Sequence, residues 1–84
     1  MPYINTEDRA KYDEIIDLVC KIDTKGELEY IIMRFMNIYM STRERKYNTL
    51  HDCVYACKHV SDEYRRRYLD KREDEALAKN GDIE

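Results

Sequence analysis

The chain has 84 residues, with 15 Lys+Arg against 18 Asp+Glu, a net charge of −3, three cysteines, two glycines and one proline. So short a chain is expected to fold as one domain, residues 1–84, and to bury little more than half of its unfolded surface. The closely interleaved charge excludes a dedicated non-specific DNA binder, and no apolar run approaches the ~20 residues that cross a membrane.

An odd cysteine count with no signal peptide at the start fits reduced thiols in a cytoplasmic protein rather than a disulfide scaffold. Oligomerisation is then the remaining common route by which a small domain gains buried area. Scarce glycine and proline and abundant Glu, Lys, Arg, Leu and Met predict an all-α fold.

The first predicted helix runs from about Glu7 to Ile22. Thr6 is its expected N-cap, Glu7 and Asp8 meet the positive end of the helix dipole, and Tyr12, Ile15, Ile16, Val19 and Ile22 recur at helical spacing. Asp23-Thr24-Lys25-Gly26 is a short turn, so the next helix should be an antiparallel neighbour. That second helix spans about Glu27 to Met40. It repeats Leu28, Ile31, Ile32, Phe35, Ile38 and Tyr39, and carries Met33, Met36 and Met40 down another flank. A helix apolar on nearly all sides must be covered on nearly all sides, which predicts self-association or a partner and makes this the most buried element.

Ser41–Lys46 reads as a charged connector. Asn48 or Thr49 should cap a third helix whose stripe is Leu50, Cys53, Val54, Cys57, Val60, Ser61, Tyr64 and Tyr68. Helix-forming composition continues to Lys79, and Asn80-Gly81 is a stop signal. One helix from Asn48 to Lys79 would be about 48 Å long. That exceeds the hairpin beside it, so the tail should break near Leu69–Arg72 or project into a partner. The expected architecture is a three- or four-helix bundle, in which the long third helix is bent near residue 70 or runs on.

Cys53 and Cys57 share a face with the apolar stripe and read as small buried hydrophobes. A zinc site would need two more ligands on that face, so no metal and no cofactor are expected. The other side of the third helix carries Tyr55, His59, Glu63 and Arg65-Arg66-Arg67. Spacings of three and four there predict salt bridges along a solvated face. Forked guanidinium groups could also grip an anion. With Arg34, one of few charges on the second helix, the expected ligand contacts are Arg34, Tyr55, His59, Arg65, Arg66 and Arg67.

A second arrangement is possible. Glu14 and Asp17 have half the carboxylate spacing with which all-α nucleotide pyrophosphohydrolases hold magnesium, and Glu63 could supply part of the other half. No catalytic triad order, Walker motif or His-Glu-x-x-His run is present.

The blocks MPYI at the start, DRAKYD (8–13), GELEYIIMR (26–34), KYNTLHD (46–52), EYRRR (63–67), Glu73-Asp74 and NGDI (80–83), in this order, span nearly the whole chain. Together they resemble a small, functionally uncharacterised family encoded by bacteriophages and bacteria. The resemblance implies that the long helix is normally interrupted by a proline near residue 71, where this chain has Lys71, and it implies no catalytic residues. Small helical phage proteins often act by binding, which by analogy favours sequestering a nucleotide, occupying a host protein or a structural role. The sequence thus predicts a non-catalytic, homo-oligomeric binding or assembly protein. Its expected ligand is a nucleotide or an acidic protein surface held by the arginine-rich helix. The alternative is a magnesium-dependent nucleotide hydrolase using Glu14, Asp17 and Glu63.

Overall fold

A computed structural model describes residues 3–83. Helices are the regular structure of the described residues, with no strand among them. In chain order they form α1 (Thr6–Arg9), a 3-10 turn (Ala10–Tyr12), α2 (Asp13–Val19), α3 (Lys25–Ser41), α4 (Tyr47–Tyr64), a π turn (Arg65–Leu69) and α5 (Asp70–Asn80). They divide into two units, Tyr3–Cys53 and residues 54–83, and the division falls inside α4.

The first predicted helix is broken in two. Asn5, not Thr6, occupies the cap position of α1, with no side-chain cap bond, and Tyr12 leaves the helical region at φ −103° and ψ 1° before α2 begins. The Arg9 guanidinium instead donates to the Ile4 carbonyl from two nitrogens, at 3.2 and 3.1 Å, tying the entry segment to the first turn. Apolar periodicity was continuous across this break, so the stripe alone could not reveal it.

α3 starts two residues before its expected position because Thr24 caps it. The Thr24 Oγ1 accepts from the Glu27 amide at 3.1 Å, and the Glu27 carboxylate accepts from the Asp23 amide, also at 3.1 Å. This is a close variant of the reciprocal Thr-x-x-Glu cap, and it satisfies donors that would otherwise be orphaned at the helix start. The other end of α3 is closed by side chains. Ser41 Oγ donates to the Ile38 carbonyl at 2.6 Å, and Arg43 donates to the Tyr39 carbonyl while its guanidinium lies 3.5 Å from the Tyr39 ring centroid.

Neither Asn48 nor Thr49 is the cap of α4, which begins at Tyr47. Thr49 acts from inside the first turn: its hydroxyl donates to the Glu44 carbonyl and accepts from the Lys46 amide at 3.2 Å, folding the connector onto the helix. At the far end, α5 closes at Gly81, whose φ of 86° suits glycine and whose amide donates to the Leu77 carbonyl at 2.8 Å. The expected stop at Asn80-Gly81 is therefore where the helix ends.

Burial departs from the sequence reading. Met40 and Cys53 are the buried hydrophobic residues among those described, 4% and 7% exposed. The Cys53 Sγ sits 3.9 Å from the Met36 carbonyl oxygen, so the seam in this unit joins the end of α3 to the start of α4. On the neighbouring arc of α3, Ile31 and Phe35 line a small apolar groove with Ile15, Leu18, Val19 and Ile22 of the α2 segment. Much of α3 is open: Phe35 remains 46% exposed even at this groove, and Met33 is 58% exposed. Contacts between residues far apart in sequence are sparse within each unit. α3 holds Met40, the less exposed of the two, but the cover expected on nearly all its sides is not supplied within the single chain.

Candidate functional site

The charged half of the molecule is built on α4, the π turn and α5. Tyr55 and His59 are one turn apart on α4, with ring centroids 5.8 Å apart in an edge-on arrangement. Lys58 and Asp62 pair at 3.4 Å on the same helix. These are exposed i,i+4 neighbours of the kind that decorate a solvated helix.

The three consecutive arginines diverge. Arg65 reaches forward, its Nε 3.3 Å from the Asp70 carboxylate and its Nη2 3.3 Å from Glu73. Arg66 turns back to Glu63, a half-buried carboxylate on the last turn of α4. Arg67 lies over the edge of the Tyr68 ring, 5.5 Å from its centroid. Arg65 and Arg66 thus reach carboxylates of their own helix in opposite directions along the chain; the spacing predicted the Glu63–Arg66 pair and not those of Arg65. Arg34 is exposed on α3 in the other unit.

The π turn explains the reach of Arg65. The Asp70 amide donates to the Arg65 carbonyl, a step of five residues where an α-helix would use four. Side chains five apart are thereby brought onto one side, which lets Arg65 meet Asp70 as well as Glu73. The long helix therefore neither breaks nor continues as a plain α-helix near residue 70: it takes in one residue and resumes as α5.

A face the sequence reading did not single out lies along this junction. Tyr64, Arg67, Tyr68, Lys71, Arg72 and Glu75 line one open groove with Leu69. The Tyr64 and Tyr68 rings have centroids 4.7 Å apart, tilted by 52°. Arg72 and Glu75 stand 3.6 Å apart, both largely exposed. Both tyrosines belong to the expected core stripe, yet Tyr64 is 65% exposed and Tyr68 50%. The signal was the spacing 64, 67, 68, 71, 72, 75, a helical face that mixes rings and cations; reading the tyrosines as core concealed it.

The carboxylates of the alternative reading belong to both units. Glu14 and Asp17 belong to α2, while Glu63 accepts from Arg66 on the helix after α4. Among the described residues, no group of three or more His, Cys, Asp or Glu side chains could hold a metal ion. Cys53 is buried, Cys57 half-buried and Cys20 exposed, and none is in a disulfide.

These landmarks extend over nearly the whole chain, and so does a family model: a domain of unknown function, DUF6899, matches residues 1–83. The chain belongs to the DUF6899 family. No curated protein and no solved structure matches it. For this DUF6899 chain, then, function must be argued from its own surfaces: the open apolar sides of α3 and the ring-and-cation face at the π turn. Among the described residues no helix is long and apolar enough to cross a membrane.

Proposed function

We propose that this DUF6899 chain is a non-catalytic binding and assembly protein, completed by a second copy of itself and carrying an anionic ligand on its arginine-bearing helix. The observation that carries the reading is the uncovered apolar surface of α3. Leu28, Tyr30, Ile32, Met33, Phe35, Ile38 and Tyr39 are between 41% and 62% exposed. At about 200 Å² for a large side chain, they present roughly 700 Å² of mostly apolar surface. Each partner in a standard-sized protein interface buries about 800 Å², so the apolar surface spread around α3 is of the size that an assembly buries. Full burial of each such side chain is worth about 1.5–3 kcal/mol over leaving it in water, and two enclosed hydrophobes cannot replace that.

A second copy is favoured over an unlike partner because the surface is broad, poor in charge and central to the chain, the character of an obligate self-interface. Paired this way, the helices of two copies cover each other's apolar sides. The anionic part of the reading is supported by the cations gathered with tyrosines on α4 and α5. In a phage or bacterial cell such a protein acts by occupying a nucleotide or an acidic protein surface. Three unpaired thiols suit the reducing cytoplasm.

Sedimentation across a range of concentrations tests the assembly. The wild-type chain should sediment as a dimer or larger, with a melting temperature that rises with concentration. Met33→Glu and Ile38→Glu should each shift it towards monomer. A wild-type chain that stays monomeric and folded over the whole range would remove the basis of the proposal.

A further inference from the structure

We infer that the face formed by Tyr64, Arg67, Tyr68, Lys71 and Arg72 binds a nucleoside polyphosphate, the base against the tyrosines and the phosphates on the three cations. This deepens the anionic part of the proposed function and rests on it. Three cations share the groove with one carboxylate, Glu75, which stands 3.6 Å from Arg72. An ion pair so exposed contributes little and is readily exchanged for a phosphate. Tyr64 and Tyr68 are half or more exposed, with centroids 4.7 Å apart, so ring surface remains available for stacking beside the charges. Aromatic surface next to guanidinium and ammonium groups matches a ligand that is flat and apolar at one end and multiply anionic at the other. A bare polyanion would leave the rings unused.

The π turn supplies the framework. Arg65 is drawn towards Asp70 and Glu73 and Arg66 towards Glu63, so these two arginines are directed along their own helix. π turns inside α-helices recur at functional sites because they re-aim side chains without ending the helix.

Calorimetric titration of the full chain with ATP, tripolyphosphate and adenosine at low ionic strength tests this. ATP should bind once per chain, at least about tenfold more tightly than tripolyphosphate, and adenosine more weakly still. Lys71→Glu and Tyr68→Leu should each weaken ATP by about tenfold or more, with helix content and oligomeric state unchanged. Lys58→Gln, which changes a lysine paired with Asp62 on α4, should leave ATP affinity as in wild type. If Lys71→Glu disturbs assembly, Lys71→Gln provides the same test. Equal affinity for ATP and tripolyphosphate would overturn the base subsite while leaving an anion-binding helix in place. An equal loss in Lys58→Gln and Lys71→Glu would overturn the assigned face in favour of general charge. Binding of neither ATP nor tripolyphosphate would overturn this inference and the anionic part of the proposed function together.

Discussion

Residues 3–53 and residues 54–83 are both helical, yet different forces hold them. The first unit contains both buried hydrophobes, and its helix ends are closed by specific side chains: Thr24 and Glu27 at one end of α3, Ser41 and Arg43 at the other. The second contains no buried residue among those described, and its order comes from neighbours along one helix, through Arg65, Arg66, Lys58 and their carboxylates. Burial is cooperative and insensitive to salt, whereas exposed ion pairs are individually weak and screened. The two units should therefore answer differently to the same perturbation.

The largest difference is expected from truncating the seam. Met40→Ala should cost about 2–5 kcal/mol, measured as a shift in the urea midpoint, whereas Leu77→Ala, at a half-exposed position of α5, should stay within about 1 kcal/mol. Equal effects would mean that Met40 is not part of a cooperative core. Thiol labelling sharpens the same contrast within one side-chain type. Cys53 should react at least about tenfold more slowly than Cys20, which corresponds to an opening cost of about 1.4 kcal/mol or more, with Cys57 between them.

Smaller still is the effect of the helix cap. Thr24→Ala should destabilise by about 1 kcal/mol, while Thr24→Ser, which keeps the accepting oxygen, should be nearly silent by thermal melting. Last comes Glu63→Gln, which removes the charge facing Arg66 and should cost only about 0.3–0.5 kcal/mol. High salt should erase that difference, and a cost that persists in salt would assign Glu63 a packing role instead.

The all-helical fold was legible because composition and periodicity agreed along nearly the whole chain. The stop at Gly81 was legible because a positive φ there needs glycine. The start of α3 was also present in the sequence as Thr24-Lys25-Gly26-Glu27, but reading these residues as a turn hid the cap they form. The break at Tyr12 and the π turn were not legible, since both keep apolar and charged residues at helical spacings and differ only in which carbonyl an amide meets. Burial was the least legible property. Periodicity shows which side of α3 is apolar, but not whether the cover comes from the same chain. At the charged end, Arg66 and Glu63 were readable as a pair from spacing alone. The pairing of Arg65 with Asp70 was not, because it depends on the extra residue in the turn.

That extra residue also fixes the rotational phase of everything after it. An α-helix advances about 100° per residue, and the π turn takes in one residue more. Removing one residue from Arg65–Leu69 and restoring α geometry would therefore leave α5 in nearly its present phase. Restoring α geometry with every residue kept would instead turn α5 by about 100°. Arg65 and Asp70, five apart, would then lose their common side, although neither had been changed. The turn thus works as a buffer for chain length: the helix can absorb a one-residue deletion inside it, while a change that straightens it would part Arg65 from Asp70.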